Sequence, residues 1–102
     1  MRVIRLSQTF NEELSKLLEQ GQDRFGARVA LRSSNRVRHT IGTFLVRHPR
    51  RTVDPILGIC AYPVRDVPFV LLYDYDDHEL RMHLVIHAKS DRTLVDLSTV
   101  VW

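Results

Sequence analysis

The apolar residues of this chain change period at His48-Pro49, which sets a helical half ahead of a sheet-forming half. Before that point Phe10, Leu14, Leu17 and Leu18 recur at helical spacing, and so do Phe25, Val29, Val37, Ile41, Phe44 and Leu45. The first set predicts a helix that begins at Ser7, or at Thr9 with Glu12 as a capping box, and runs to Gln20 with Gly21 as its stop. The second predicts a longer helix over residues 25–47, ended by His48-Pro49 because the residue before a proline is pushed out of the helical region. Only a few residues join the two, so they should lie antiparallel as a hairpin. Beyond a loop over residues 50–58, strands are predicted at 59–64, 67–75 and 80–87, separated by Arg65-Asp66 and Asp76-Asp77-His78. Residues 1–6 form a short first strand. The expected fold is α+β in the order β-α-α-β-β-β, a helical hairpin packed on a small antiparallel sheet. In the last strand Leu80, Met82, Leu84 and Ile86 should point one way and Arg81, His83, Val85 and His87 the other.

At 102 residues there is room for one core, so residues 1–102 read as a single domain. Residues 93–102 form an apolar tail, with Leu94, Leu97, Val100, Val101 and Trp102, that either packs back or waits for a cover. No apolar run approaches the roughly 18 residues of a membrane span, and Arg2 and Arg5 interrupt the N-terminus, so a soluble, cytoplasmic protein without a membrane partner is expected. The single cysteine, Cys60, excludes an internal disulfide and a cysteine-rich zinc site, and reads as a buried small hydrophobe. No His/Asp/Glu grouping has ligand spacing, so neither a metal nor another cofactor is expected.

The formal charge of +3 hides an uneven distribution. Arg24, Arg28, Arg32, Arg36, Arg38, Arg47, Arg50 and Arg51 follow one another with no Asp or Glu before Asp54. Arg24, Arg28, Arg32 and Arg36 recur every four residues as a basic helix face. Such a block is either a solvated face or a surface for an acidic partner: nucleic acid, a ribosome or an acidic protein.

The order strand, helical hairpin, three-stranded meander resembles the RelE/ParE toxin superfamily of bacterial type II toxin-antitoxin modules. The run from Tyr62-Pro63 through Phe69-Val70-Leu71-Leu72-Tyr73 to the acidic turn at Asp76-Asp77 is similar to that family's second and third strands. Leu84-Val85-Ile86-His87, followed by Ala88-Lys89-Ser90-Asp91, is similar to the end of its last strand in ParE-like members. Ser7 opening the first helix and His48-Pro49 closing the second fit as well. Two residues depart from the pattern: Leu84 and Ser90 stand where ParE-like members often carry arginine. The resemblance implies a toxin silenced by a cognate antitoxin, in a hetero-oligomer with it. It also implies one of two targets: DNA gyrase, as for ParE-like members, or mRNA on the ribosome, as for RelE-like endoribonucleases.

RNA cleavage needs a base for the 2′-hydroxyl, cations for the developing phosphorane charge and an acid for the leaving oxygen. His87, Arg81 and Lys89 are the candidates for that activity. His83 and His87, four residues apart on a strand, would stand about 13 Å from one another, so at most one could serve. Only Lys16 and Lys89 are lysines and no tyrosine follows Tyr75, so the lysine-rich set and tail tyrosine of RelE-like nucleases are missing. His87 reads more readily as a strand-end residue bonded to the next loop than as a catalytic one, and Tyr73 with Tyr75 more readily as packing than as a platform for bases. Gyrase inhibition is therefore the expected activity, with Arg65, Arg81, His83, His87, Lys89, Arg92 and Trp102, together with the basic helix, contacting gyrase or its DNA. A non-toxic family member acting as a binding partner is the third reading.

Overall fold

Ser7 joins the first strand to the first helix and to the sheet at once. Its Oγ accepts from the backbone N–H of Phe10 at 2.8 Å and donates to the carbonyl of His83 at 2.7 Å, and the residue is fully buried. In the computed structural model, which describes Met1–Trp102, β1 spans Val3–Leu6 and α1 spans Gln8–Phe25. α1 therefore runs through Gly21, where the sequence pattern placed its end. The break falls at Gly26, whose φ of 91° lies in the region that favours glycine and whose N–H bonds the Gln22 carbonyl. One residue thus makes the turn of the hairpin.

The expected second helix is two segments, α2 over Ala27–His39 and a π-helical stretch over Thr40–Leu45. Thr40 and Thr43 donate their hydroxyls to the carbonyls of Arg36 and His39, and the N–H of Val46 reaches back five residues to Ile41. The wider turn lets Leu45 and Val46, neighbours in sequence, both be buried beside Val37 and Ile41.

The strands β2 (Cys60–Pro63), β3 (Phe69–Tyr75) and β4 (Glu79–His87) form the expected meander. The sheet order is β1-β4-β3-β2, and β1 pairs with β4 in parallel, Val3 beside Glu79 and Leu6 beside Met82. The sheet is thus mixed, not wholly antiparallel. Short turns signal pairing only between strands adjacent in the chain, and this pair joins its two ends.

A second departure lies inside β4. Leu72 pairs with Leu84 but Tyr73 pairs with Met82, so His83 is an extra residue, a β-bulge. The alternation expected for this strand reverses there. Leu80, Met82 and Val85 enter the main core under the helices with Phe10, Leu14, Val37, Ile41, Leu45, Leu71 and Tyr73. Leu84 and Ile86 instead join Val70 and Leu72 on the opposite face, beneath Leu57, Ile59 and Val95. Tyr73 is wholly buried and donates its hydroxyl to the Pro49 carbonyl at 2.8 Å, which ties the chain after the π-helical turn to the sheet. Burial pushes that phenol well above its ordinary range.

The tail packs back on the domain. Short 3₁₀ turns at Arg92–Leu94 and Leu97–Thr99 are capped by Asp91 and Asp96, whose carboxylates accept from the N–H groups of Thr93 and Ser98. Its end is fastened to the start of α1: Val101 donates its N–H to Thr9 Oγ1 at 2.8 Å and accepts from the Thr9 N–H at 3.2 Å. No helix is long and apolar enough to cross a membrane.

Candidate functional site

The bulge at His83 gathers a charged cluster on the sheet face away from the helices. His83 Nε2 lies 2.9 Å from Asp74 Oδ1, and Arg81 reaches the same oxygen at 2.9 Å through Nε. The Arg81 Nη1 group donates at 2.9 Å to both Asp76 and Glu79. Trp102 stands edge-on to the His83 ring at 4.8 Å, and the Arg5 guanidinium lies over the Trp102 ring at 5.0 Å. One guanidinium thus serves three carboxylates, and His83 shares one of them.

The carboxylates respond accordingly. Partial burial would raise Asp74, but hydrogen bonds from Arg81 and His83 outweigh it and hold the group below the usual carboxylate range. The N–H groups of Glu79 and His78, with Arg81 behind them, bring Asp76 down to about 2. Asp91 and Asp96, held by their turn hydroxyls and N–H groups, are lowered too. A group whose folded pKa is depressed contributes stability that is complete above its unfolded value and is lost as pH falls through the folded one. Stability to urea should therefore be flat above about pH 5 and fall steeply between about pH 4 and pH 2. A midpoint at pH 3 equal to that at pH 6 would contradict this assignment.

His87 lies on the other side of the sheet from His83, because the bulge intervenes. Its Nδ1 accepts from the N–H of Lys89 at 3.1 Å, the strand-end role, and its ring lines a groove between the helical hairpin and the end of β3. The groove encloses about 640 Å³ and is lined by Leu17, Leu18, Phe25, Val29, Ala30 and Phe69, with the exposed Arg24 and Asp66 beside them. The single face of Arg81, His83 and His87 expected from alternation thus does not exist.

The remaining predicted cations are dispersed. Arg92 is bound to the buried carboxylate of Asp54 through Nη1. Arg65 is exposed in the β2–β3 turn beside Asp66, which has a φ of 67°, and Lys89 is exposed in the turn after β4. Trp102 is occupied by His83 and Arg5. The break at Gly26 also divides the basic row: Arg24 ends α1 at the groove, while Arg28, Arg32 and Arg36 continue on α2. Sequence reasoning overlooked Asp74, the hub of the outer cluster. Its signal was a carboxylate between Tyr73 and Tyr75 in a strand otherwise apolar on both faces.

No family model matches the sequence, and no curated protein matches it. Among solved structures, a chain of one described as "Chromosomal ParDE TA system from P. aeruginosa" superposes with a TM-score of 0.73 at 10% sequence identity, covering 85% of this chain and 96% of that one. At that identity the likeness is one of fold: the helical hairpin on one face of a four-stranded sheet is the RelE/ParE-like α+β architecture that the strand and turn motifs of the sequence resemble.

Proposed function

We propose that this chain is the toxin of a type II toxin-antitoxin module, that it acts by binding DNA gyrase and not by cutting RNA, and that a cognate antitoxin silences it from the hairpin groove. The observation that carries the choice of target is the engagement of Arg81. A phosphorane needs unpaired cations around it, whereas here the guanidinium is held by Asp74, Asp76 and Glu79, and His83 is held by Asp74. His87 and Lys89, the other two residues of the nuclease reading, lie past the bulge at the end of β4, with His87 turned toward the helices. No trio of acid, base and free cation converges, which favours inhibition by binding.

The groove suits an antitoxin segment that is amphipathic. Leu17, Leu18, Val29 and the exposed Phe25 offer apolar seats, and Arg24 offers a partner for a carboxylate on the same segment. The likeness of fold to a chain from a ParDE system supports such a partner.

The test is plasmid supercoiling by purified gyrase with increasing amounts of this protein free of antitoxin. The expected result is inhibition with accumulation of cleaved plasmid, equally by the His87→Ala variant. Unimpeded supercoiling at large excess of folded protein would sink the reading, and mRNA cleavage on translating ribosomes that His87→Ala abolishes would replace it with the nuclease.

A further inference from the structure

The outward face of α2 is a shallow groove lined by Arg28, Leu31, Arg32, Asn35, Arg36 and His39, all exposed. The helix contains no acidic residue. Arg28 and Arg32 form no ion pair, and Arg36 touches only Asp66, at 3.5 Å with both side chains in solvent, a weak contact that a stronger anion would displace. Arg28, Arg32 and Arg36 are each one helical turn apart. The span from first to last is about 12 Å at the usual rise. That covers about three to four steps of one duplex strand at about 3.4 Å per step along the axis, room enough to reach three of its phosphates.

The make-up of the groove discriminates between partners. A stable protein interface has an apolar centre from which charged residues are depleted, and here Leu31 is the single apolar member. Interfaces with nucleic acid are polar and strongly cationic, and the arginine fork matches phosphate oxygens two at a time. Asn35 and His39, interleaved with the arginines, add hydrogen-bonding groups along the same track.

We propose that α2 binds the phosphate backbone of nucleic acid, with Arg28, Arg32 and Arg36 each on a phosphate of one strand. The site is separate from the hairpin groove and from the outer cluster around Arg81, and it does not depend on gyrase being the target. Binding is independent of base sequence, since phosphate contacts position a protein and carry no sequence information.

The experiment is fluorescence anisotropy of the full chain, alone, against a mixed-sequence DNA duplex and against a single-stranded RNA over a salt series. On the duplex, log K against log salt should fall with a slope of about −3, three neutralised phosphates at about 0.9 each. The Arg28→Ala/Arg32→Ala variant should keep its melting temperature, lose roughly tenfold or more in affinity at moderate salt, and have a slope near −1. Removing the same charge at Arg47→Ala/Arg50→Ala should leave the slope as it was. Tighter binding to the duplex or to the RNA identifies which nucleic acid the face serves. Equal losses in the two double variants would mean diffuse attraction and would overturn the proposal. So would wild-type binding by Arg28→Ala/Arg32→Ala, or competition by polyglutamate as effective as by DNA. Because no gyrase is present, failure here leaves the supercoiling test untouched.

Discussion

Replacing Arg92 by alanine lowers the melting temperature by roughly 10 °C or more, a larger loss than a half-exposed side chain ordinarily brings. The reason lies in what it leaves behind. Asp54 is buried, with a side chain 4% exposed, and its carboxylate organises the loop ahead of β2: one oxygen accepts from the N–H groups of Ile56 and Leu57, the other from Arg92. Burial alone would raise its pKa, but the Arg92 guanidinium and the two loop N–H groups outweigh it and hold the group below the usual carboxylate range. Without Arg92 the burial remains and the countercharge is gone. The loss also spreads, because this pair joins the tail to the loop that carries Leu57 and Ile59 over the second apolar cluster. Adding Asp54→Asn to Arg92→Ala should therefore recover part of the loss, since asparagine still accepts from the loop and carries no charge. The sign with pH follows. The pair contributes fully above the unfolded carboxylate value and fades as pH falls through the folded one, so the gap between wild type and Arg92→Ala should narrow from pH 7 to pH 3. Calorimetry at both pH values checks it, and a melting point within about 2 °C of wild type at pH 7 would remove Arg92 from this role.

Asp54 and Arg92 also show where the sequence stops being legible. The change of period at His48-Pro49 correctly separates helices from meander, and the three strands fall within a residue or two of their expected bounds, because helical spacing, alternation and turn residues are local properties. Partners distant in the chain leave no such mark. Asp54 reads as one more loop carboxylate and Arg92 as a free cation until the tail is folded across the sheet. The pairing of β1 with β4 is equally silent, since two strands at opposite ends of a chain show only that each is extended. The bulge matters most for the candidate site. An extra residue in β4 exists only relative to β3, so alternation read from β4 by itself places His83 and His87 together, and a slip of one residue moves everything beyond it to the other face. His87 thereby turns to the hairpin groove and His83 stays with Asp74. The arginine row had the opposite fate. Its charge and spacing are local and survive intact on α2, losing only Arg24 to the end of α1.

Gly21, where the helical period ends the first helix, and Gly26, where the helix does end, should respond to alanine with opposite signs. Gly21→Ala stabilises the protein by about 1 kcal/mol, because the position is inside α1, where glycine gives up more backbone freedom than alanine. A Cβ there meets nothing within 4 Å, so no packing cost offsets the gain. Gly26→Ala destabilises by about 1–3 kcal/mol although its Cβ also meets nothing, because φ 91° and ψ 168° together lie in a region that is essentially reserved for glycine. Space is equal at the two sites, so the difference is purely one of backbone conformation. For a domain of this size the pair should separate by roughly 10 °C or more in melting temperature. The consequence for function differs as well. Gly26 is the whole connection between α1 and α2, so a strained substitution relaxes by shifting one helix against the other, and the groove lined by Leu17, Leu18, Phe25 and Val29 changes width with it. Gly26→Ala should accordingly weaken binding of any segment seated in that groove beyond what its stability loss explains, while Gly21→Ala binds as wild type. Melting curves that rank the two variants in the reverse order would mean that the hairpin turns at Gly21, as the helical period alone implied.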